Sequence, residues 1–223
     1  MSLSATDWVQ IKALAAYRKA GLAVLNRRGR KSLAVHGYTR LFDDRPANAK
    51  PPIWSDLAFL YRSVRERRPK VIVEFGSGCS TVIQAQALAD NAAEGAPGFL
   101  YSLEADARWG EVTRNSLSPY LREHCELIVT PAIESDLDGL PVWRYRDVPE
   151  VTPDLVYLDG PALTPDRWAA VDVLDMEPRF PPGFRLVVDG RYRNCDLLEQ
   201  HFRRRYRRKR RIVLKHTVYD LID

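Results

Sequence analysis

A chain of 223 residues is long enough for one well-buried core and short for two. Its hydrophobic content of 45% and charged content of 28% are those of a globular protein, and no run of about eighteen apolar residues occurs, which excludes a transmembrane helix. The net charge of +5 is local, because without residues 203–211 (RRRYRRKRR) the acidic residues outnumber the basic ones, which excludes a generally cationic surface.

The first thirty residues lack the charged-then-apolar pattern and cleavage site of a secretory signal. Cys79, Cys125 and Cys195 are odd in number and scattered, and His36, His124, His201 and His216 show no ligand spacing with them. Reduced thiols, a cytoplasmic location and no metal site are therefore expected.

In chain order, Trp8, Ile11, Leu14, Ala15, Leu22 and Leu25 recur at helical spacing over residues 6–27, with Thr6 or Asp7 as cap and Arg27 and Arg28 at the C-terminal end. Residues 28–52 read as a connector rich in Gly, Pro and Asp. A second helix covers 54–67 and stops before Pro69. Residues 1–53 are thus expected to form an N-terminal helix and connector, a candidate lid, and 54–223 the main domain. From Lys70 the pattern becomes regular. VIVEF (71–75), FLYSLE (99–104), ELIVT (126–130), DLVYLD (154–159) and RLVVD (185–189) suit strands buried on both faces. Helices are expected at about 80–93, 106–117, 165–176 and 194–205. This alternation predicts a doubly wound α/β sheet. Residues 131–153, with their prolines, read as an irregular loop or small hairpin. RRIVLKHTVYDLID reads as one or two final strands with a turn near 215–217.

Chemistry concentrates at strand ends. After VIVEF, the turn Gly76-Ser77-Gly78 leads into a helix near Ser80, bringing backbone N–H groups and a helix N-terminus toward a ligand. A dinucleotide site is one reading. Glu74 would repel a pyrophosphate there and attract the ammonium of an amino-acid ligand. Thr81 stands where the dinucleotide fingerprint wants its third glycine. Glu104 ends the second strand, where a carboxylate accepts ribose hydroxyls. Asp159 and Asp189 end the fourth and fifth strands, at the crevice where such sheets bind ligands. Asp159 suits removing the proton of an oxygen nucleophile, as a base or by holding a metal, with Asp189 a second carboxylate near the same crevice.

EFGSGCST, YSLEAD, PDLVYLDGP and RLVVDGR resemble, in order and spacing, the motifs of class I S-adenosylmethionine-dependent methyltransferases. The resemblance covers residues 54–223. It implies a Rossmann-like seven-stranded sheet, mostly parallel, whose last strand is antiparallel, with S-adenosyl-L-methionine as cofactor. It further implies a cofactor site of Glu74, Gly76, Ser77, Gly78, Ser80 and Thr81 at the methionine end, Glu104 on ribose and the loop at Ala132 near adenine, with Asp159 and Asp189 at the reacting methyl group. Metal-dependent relatives follow the fifth-strand Asp with Asn, whereas here Gly190 follows Asp189 and Asn194 comes later. Asp159-Gly160-Pro161-Ala162 lacks the aromatic platform of enzymes that methylate base amino groups. The expected reaction is methyl transfer to an oxygen or nitrogen of a small molecule or glycan. Two alternatives stand beside it. One is an RNA-directed methyltransferase binding nucleic acid through residues 203–211, a run read equally as a solvated edge that discourages aggregation. The other is a non-catalytic nucleotide-binding module. Trp109, Trp143, Trp168 and Tyr145 are candidate pocket or packing aromatics, and His36 is read as a surface histidine or as a base carried by an N-terminal lid over the crevice.

Overall fold

In the computed structural model, which describes residues 5–164, 166 and 168–223 with side chains from residue 16 onward, the chain opens with helix α1 (Ala5–Ala34) and a short 3-10 turn. Helix α2 (Trp54–Arg67), strand β1 (Val71–Phe75), helix α3 (Cys79–Ala93), strand β2 (Phe99–Glu104), helices α4 (Ala107–Ser116) and α5 (Pro119–Arg122) and strand β3 (Cys125–Val129) follow. A hairpin of β4 (Ala132–Leu137) and β5 (Leu140–Tyr145) precedes β6 (Leu155–Leu158), α6 (Asp172–Met176) and β7 (Arg185–Asp189). Helix α7 (Tyr192–His201) and strands β8 (Tyr206–Arg211) and β9 (His216–Leu221) complete the chain.

Seven strands form one sheet in the order β3-β2-β1-β6-β7-β9-β8. The five apolar runs pair in parallel, and β9, last in the chain, inserts antiparallel between β7 and β8. Successive strand residues face opposite layers. Ile72, Leu100, Leu155 and Val187 pack with α2 and α3. Val73, Phe75, Val156, Leu158, Leu186 and Val188 pack with α6, α7 and Tyr145. Chain order reverses direction at β1 and β6, so their C-terminal ends flank the switch point where a crevice opens.

Several boundaries differ from expectation. α1 continues to Ala34, because Gly29 and Leu33 pack inward rather than forming a connector; a side chain at Gly29 would strike the Trp54 carbonyl. The side chains of Trp8, Ile11 and Leu14 lie outside the described residues. Residues 132–145 form the hairpin. The helix expected at 165–176 is confined, among the described residues, to Asp172–Met176, since Ala170 instead bridges Trp143 of the hairpin. α7 stops at His201, where Phe202 turns onto Tyr206 and Tyr219. The final turn falls at residues 212–215, before the expected place, with Lys215 at φ 59.

Candidate functional site

The crevice at the switch point is lined by the turn after β1 (Gly76, Ser77, Gly78, Cys79, Ser80), by Glu104 at the tip of β2, and by Trp109 and Thr113 of α4. Asp159, Gly160 and Pro161 after β6 and Asp189 after β7 form its other side. The connector before α2 closes it with Arg45, Lys50, Pro51, Pro52 and Ile53, and α2 itself contributes Asp56 and Leu57.

The two glycines of the first turn do different things. Gly76 has φ +95, and a Cβ there would lie 2.6 Å from the Gly160 nitrogen and 2.7 Å from its Cα. The loops after β1 and β6 therefore touch backbone to backbone, which only glycine permits. A Cβ on Gly78 would meet nothing within 4 Å, so this position faces open crevice.

Glu104 is 8% exposed and already held: the Ser77 N–H and hydroxyl donate to one carboxylate oxygen at 3.0 and 2.9 Å, and the Asp106 N–H donates to the other at 3.0 Å. A carboxylate offers about four acceptor sites, so these three donors leave one, on the oxygen that Asp106 bonds. Glu74 lies beneath the turn and does not line the crevice, which corrects the expectation that it faces a ligand ammonium. It is fully buried, accepting from Thr81 at 2.5 Å, Ser102 at 2.6 Å and Gln84 at 2.9 Å. Burial pushes its carboxyl up to about 7, against the pull of those hydroxyls. Thr81 is likewise buried, and its hydroxyl accepts the Gly78 N–H at 2.9 Å. Glu74 and Thr81 thus brace the turn from behind. Ala132 sits on β4 and is not among the residues that line the crevice.

The remaining expected residues come together. Asp159 is half exposed at the crevice wall, and its proton affinity is raised by the partial loss of solvent in the crevice and by neighbouring Asp189, against the pull of Arg191. Asp189 accepts from the Tyr157 hydroxyl at 2.9 Å. Burial works against its charge, but the His216 ring and that hydroxyl hold it below the usual carboxylate range. Three further members were not among the expected residues: Arg191 ends the RLVVDGR motif, whereas Asp56 and His216 lie in no motif. Arg191, 7% exposed, donates to the carbonyls of Asp159 and Pro161 and fixes the loop after β6. Asp56 comes from α2, and burial pushes its carboxyl up to about 6. His216 opens β9, fully buried. Asn194, the displaced counterpart of a metal-ligating Asn, instead donates to the Ala170 carbonyl at 2.7 Å.

Elsewhere, the Trp143 and Trp168 rings meet at a tilt with centroids 5.1 Å apart, and His36 stacks on Tyr38 at the surface. Among the described residues no helix is long and apolar enough to cross a membrane, and all cysteines are free.

The profile of the methyltransferase domain family matches residues 73–190, more than half of the chain and the span that carries every crevice strand end. The chain belongs to this family. None of the curated proteins matches the methyltransferase. Among solved structures it is similar to the S-adenosylhomocysteine (SAH)-bound methyltransferase PaMTH1 of Podospora anserina, at 17% identity and TM-score 0.55 over 100% of both chains. It is also similar to cofactor-bound Rv0187 from MTB, at 15% identity and TM-score 0.50, covering 92% of this chain and 88% of that one. A methyltransferase from Geobacter sulfurreducens gives 16% identity and TM-score 0.50 over 88% of each chain. At these identities the likeness is one of fold.

Proposed function

We propose that this methyltransferase binds S-adenosyl-L-methionine along the turn after β1 and the tip of β2, and transfers its methyl group to an oxygen or nitrogen of a small-molecule or glycan acceptor. The observation that carries the reading is the pairing of open space at Gly78 with the pre-oriented Glu104 carboxylate beside it. Glu104 accepts the ribose hydroxyls, and Trp109 offers a face for adenine. Gly76, Ser77, Gly78 and Ser80 receive the methionine end, with Glu74 and Thr81 holding their backbone. Neighbours bound to SAH or to cofactor support the choice of ligand.

Asp159 and Asp189 face the acceptor. Methyl transfer depends mainly on aligning the nucleophile behind the methyl group. A carboxylate whose proton affinity is raised, as at Asp159, suits accepting the proton of an attacking hydroxyl or amine. The free cysteines suit a reducing, cytoplasmic setting. Much of the basic run is engaged within the chain, which counts against the RNA alternative. Arg204 pairs with Asp223, Arg207 with Asp220 and Arg208 with Glu199, while Arg210 and Arg211 lie over the rings of Tyr192 and Phe59.

The test is calorimetric titration with S-adenosylmethionine on the wild-type chain and on Gly78→Arg. The wild type is expected to bind one equivalent. The variant is expected to fold, because its side chain enters open space, and to show no binding. Absence of binding by the wild type, or unchanged binding by the folded variant, rejects the site. NAD in place of S-adenosylmethionine tests the dinucleotide alternative, and turnover on a panel of acceptors separates an enzyme from a binding module.

A further inference from the structure

The crevice has a second group of residues that cofactor binding does not use. Asp56 of α2, Asp189 at the end of β7 and His216 at the start of β9 each present one ligand atom, all within 4.8 Å of one another. His216 Nε2 lies 3.5 Å from an Asp189 oxygen and 3.7 Å from an Asp56 oxygen. His216 is fully buried, and neither ring nitrogen makes a hydrogen bond. Buried polar atoms almost always find a partner. The ring is also fixed, with Phe59 at 5.0 Å and Tyr157 edge-on at 6.5 Å. Its Nε2 lies within ion-pair distance of two carboxylates without hydrogen-bonding to either.

We propose that Asp56, Asp189 and His216 hold a first-row divalent metal ion at the crevice. Ligand atoms about 2.0–2.2 Å from one ion stand roughly 3–3.5 Å apart; the His216 spacings of 3.5 and 3.7 Å lie at or just above that range, and the whole group spans no more than 4.8 Å. One imidazole with two carboxylates suits zinc or manganese better than the all-oxygen preference of magnesium or calcium. The Tyr157 hydroxyl occupies the other Asp189 oxygen, which leaves Oδ1 turned to the ion and fixes its direction. Asp56 and Asp189 line the crevice whereas His216 is fully buried, so the group meets the crevice through its two carboxylates. That side lies beside Asp159, where an oxygen of the acceptor completes the sphere. The role in acceptor binding rests on the methyltransferase reading above, but the metal site itself is measured without cofactor. A direct contact of His216 with the two carboxylates, with no ion between them, is the competing arrangement.

The experiment titrates Zn2+ into the full chain after treatment with a chelator. One equivalent is expected to bind, with Asp56→Asn and His216→Gln each weakening it by at least about tenfold, the scale on which loss of even a supporting partner acts. Because His216 is buried and its variant is at risk of misfolding, the ring nitrogens of the wild type are followed by NMR as well. His36, His124 and His201 are assigned from their Gln variants, which identifies His216 by elimination. Its ring signals are expected to move on Zn2+ addition. Lack of saturable Zn2+ binding, or saturation with those signals unmoved, overturns the proposal. S-adenosylmethionine binding by the same metal-free sample reports separately on the cofactor site.

Discussion

At the residue scale, Gly76 and Gly78 share a motif and differ in what they tolerate. An added methyl at Gly76 meets the Gly160 backbone at 2.6 Å and sits at positive φ, so neither rotamer nor side-chain adjustment relieves it. Gly76→Ala is expected to cost at least about 1–3 kcal/mol, the range for a residue held in a disfavoured backbone region. Gly78→Ala faces open space with extended φ and should change stability by less than about 0.5 kcal/mol. Chemical denaturation of both variants checks the contrast. Equal stability of the two would mean that the loops after β1 and β6 are not in contact. The acidic residue of the first motif follows the same logic. Glu74 belongs to the motif because the turn needs three side chains tied together beneath it, and no ligand contact is required of it.

At the element scale, Asp172 joins the hairpin to the main sheet layer, its carboxylate accepting the Tyr145 N–H at 2.7 Å. Burial pushes this carboxyl up to about 7, aided by Asp175 and opposed by that N–H and Arg144. A group that holds its proton to higher pH when folded contributes stability below its unfolded value near 4, and that contribution is lost as pH rises through about 7. Asp172→Asn keeps an acceptor for Tyr145 and removes the titration. The stability of wild type relative to this variant should therefore fall by about 2–4 kcal/mol between pH 4 and pH 7.5. Urea midpoints across that range measure it, and a flat difference would show that Asp172 ionises freely in the folded chain.

Elements were legible in proportion to how local their cause is. β1, β2 and β7 match their apolar runs residue for residue because strands buried on both faces announce themselves by composition. The turn after β8 did not, because Ile212, Val213 and Leu214 carry strand propensity. Leu214 turns into the core and Val213 lies against Gly21 of α1, contacts that only the tertiary structure supplies. The same holds within the crevice. Its glycines and strand-end acids sit in motifs, whereas Asp56 and His216 come from distant segments with no spacing to connect them.

At the scale of the whole molecule, the boundary at residue 53 separates sequence patterns rather than folding units. Leu33 of α1 is 1% exposed and Phe42 7%, and both belong to the cluster built on Ile72, Leu100 and Leu155 of the main sheet. Gly29 touches the start of α2 too closely for any side chain. Asn26 accepts the Ser55 N–H at 3.1 Å, which ties α1 to the first turn of α2. A chain beginning at residue 45 keeps the crevice wall of residues 45–53 and loses all of these contacts. Burial of a large apolar side chain contributes about 1.5–3 kcal/mol, so Leu33 and Phe42 alone account for roughly 3–6 kcal/mol. That is a large share of the roughly 5–15 kcal/mol by which domains are stable. The truncated chain is expected to unfold at much lower urea or to lose cooperative unfolding, and to lose S-adenosylmethionine binding with it. Unchanged stability of residues 45–223 would instead make α1 an appendage, and the N-terminal segment would then be free to act as a lid over a crevice that stands without it.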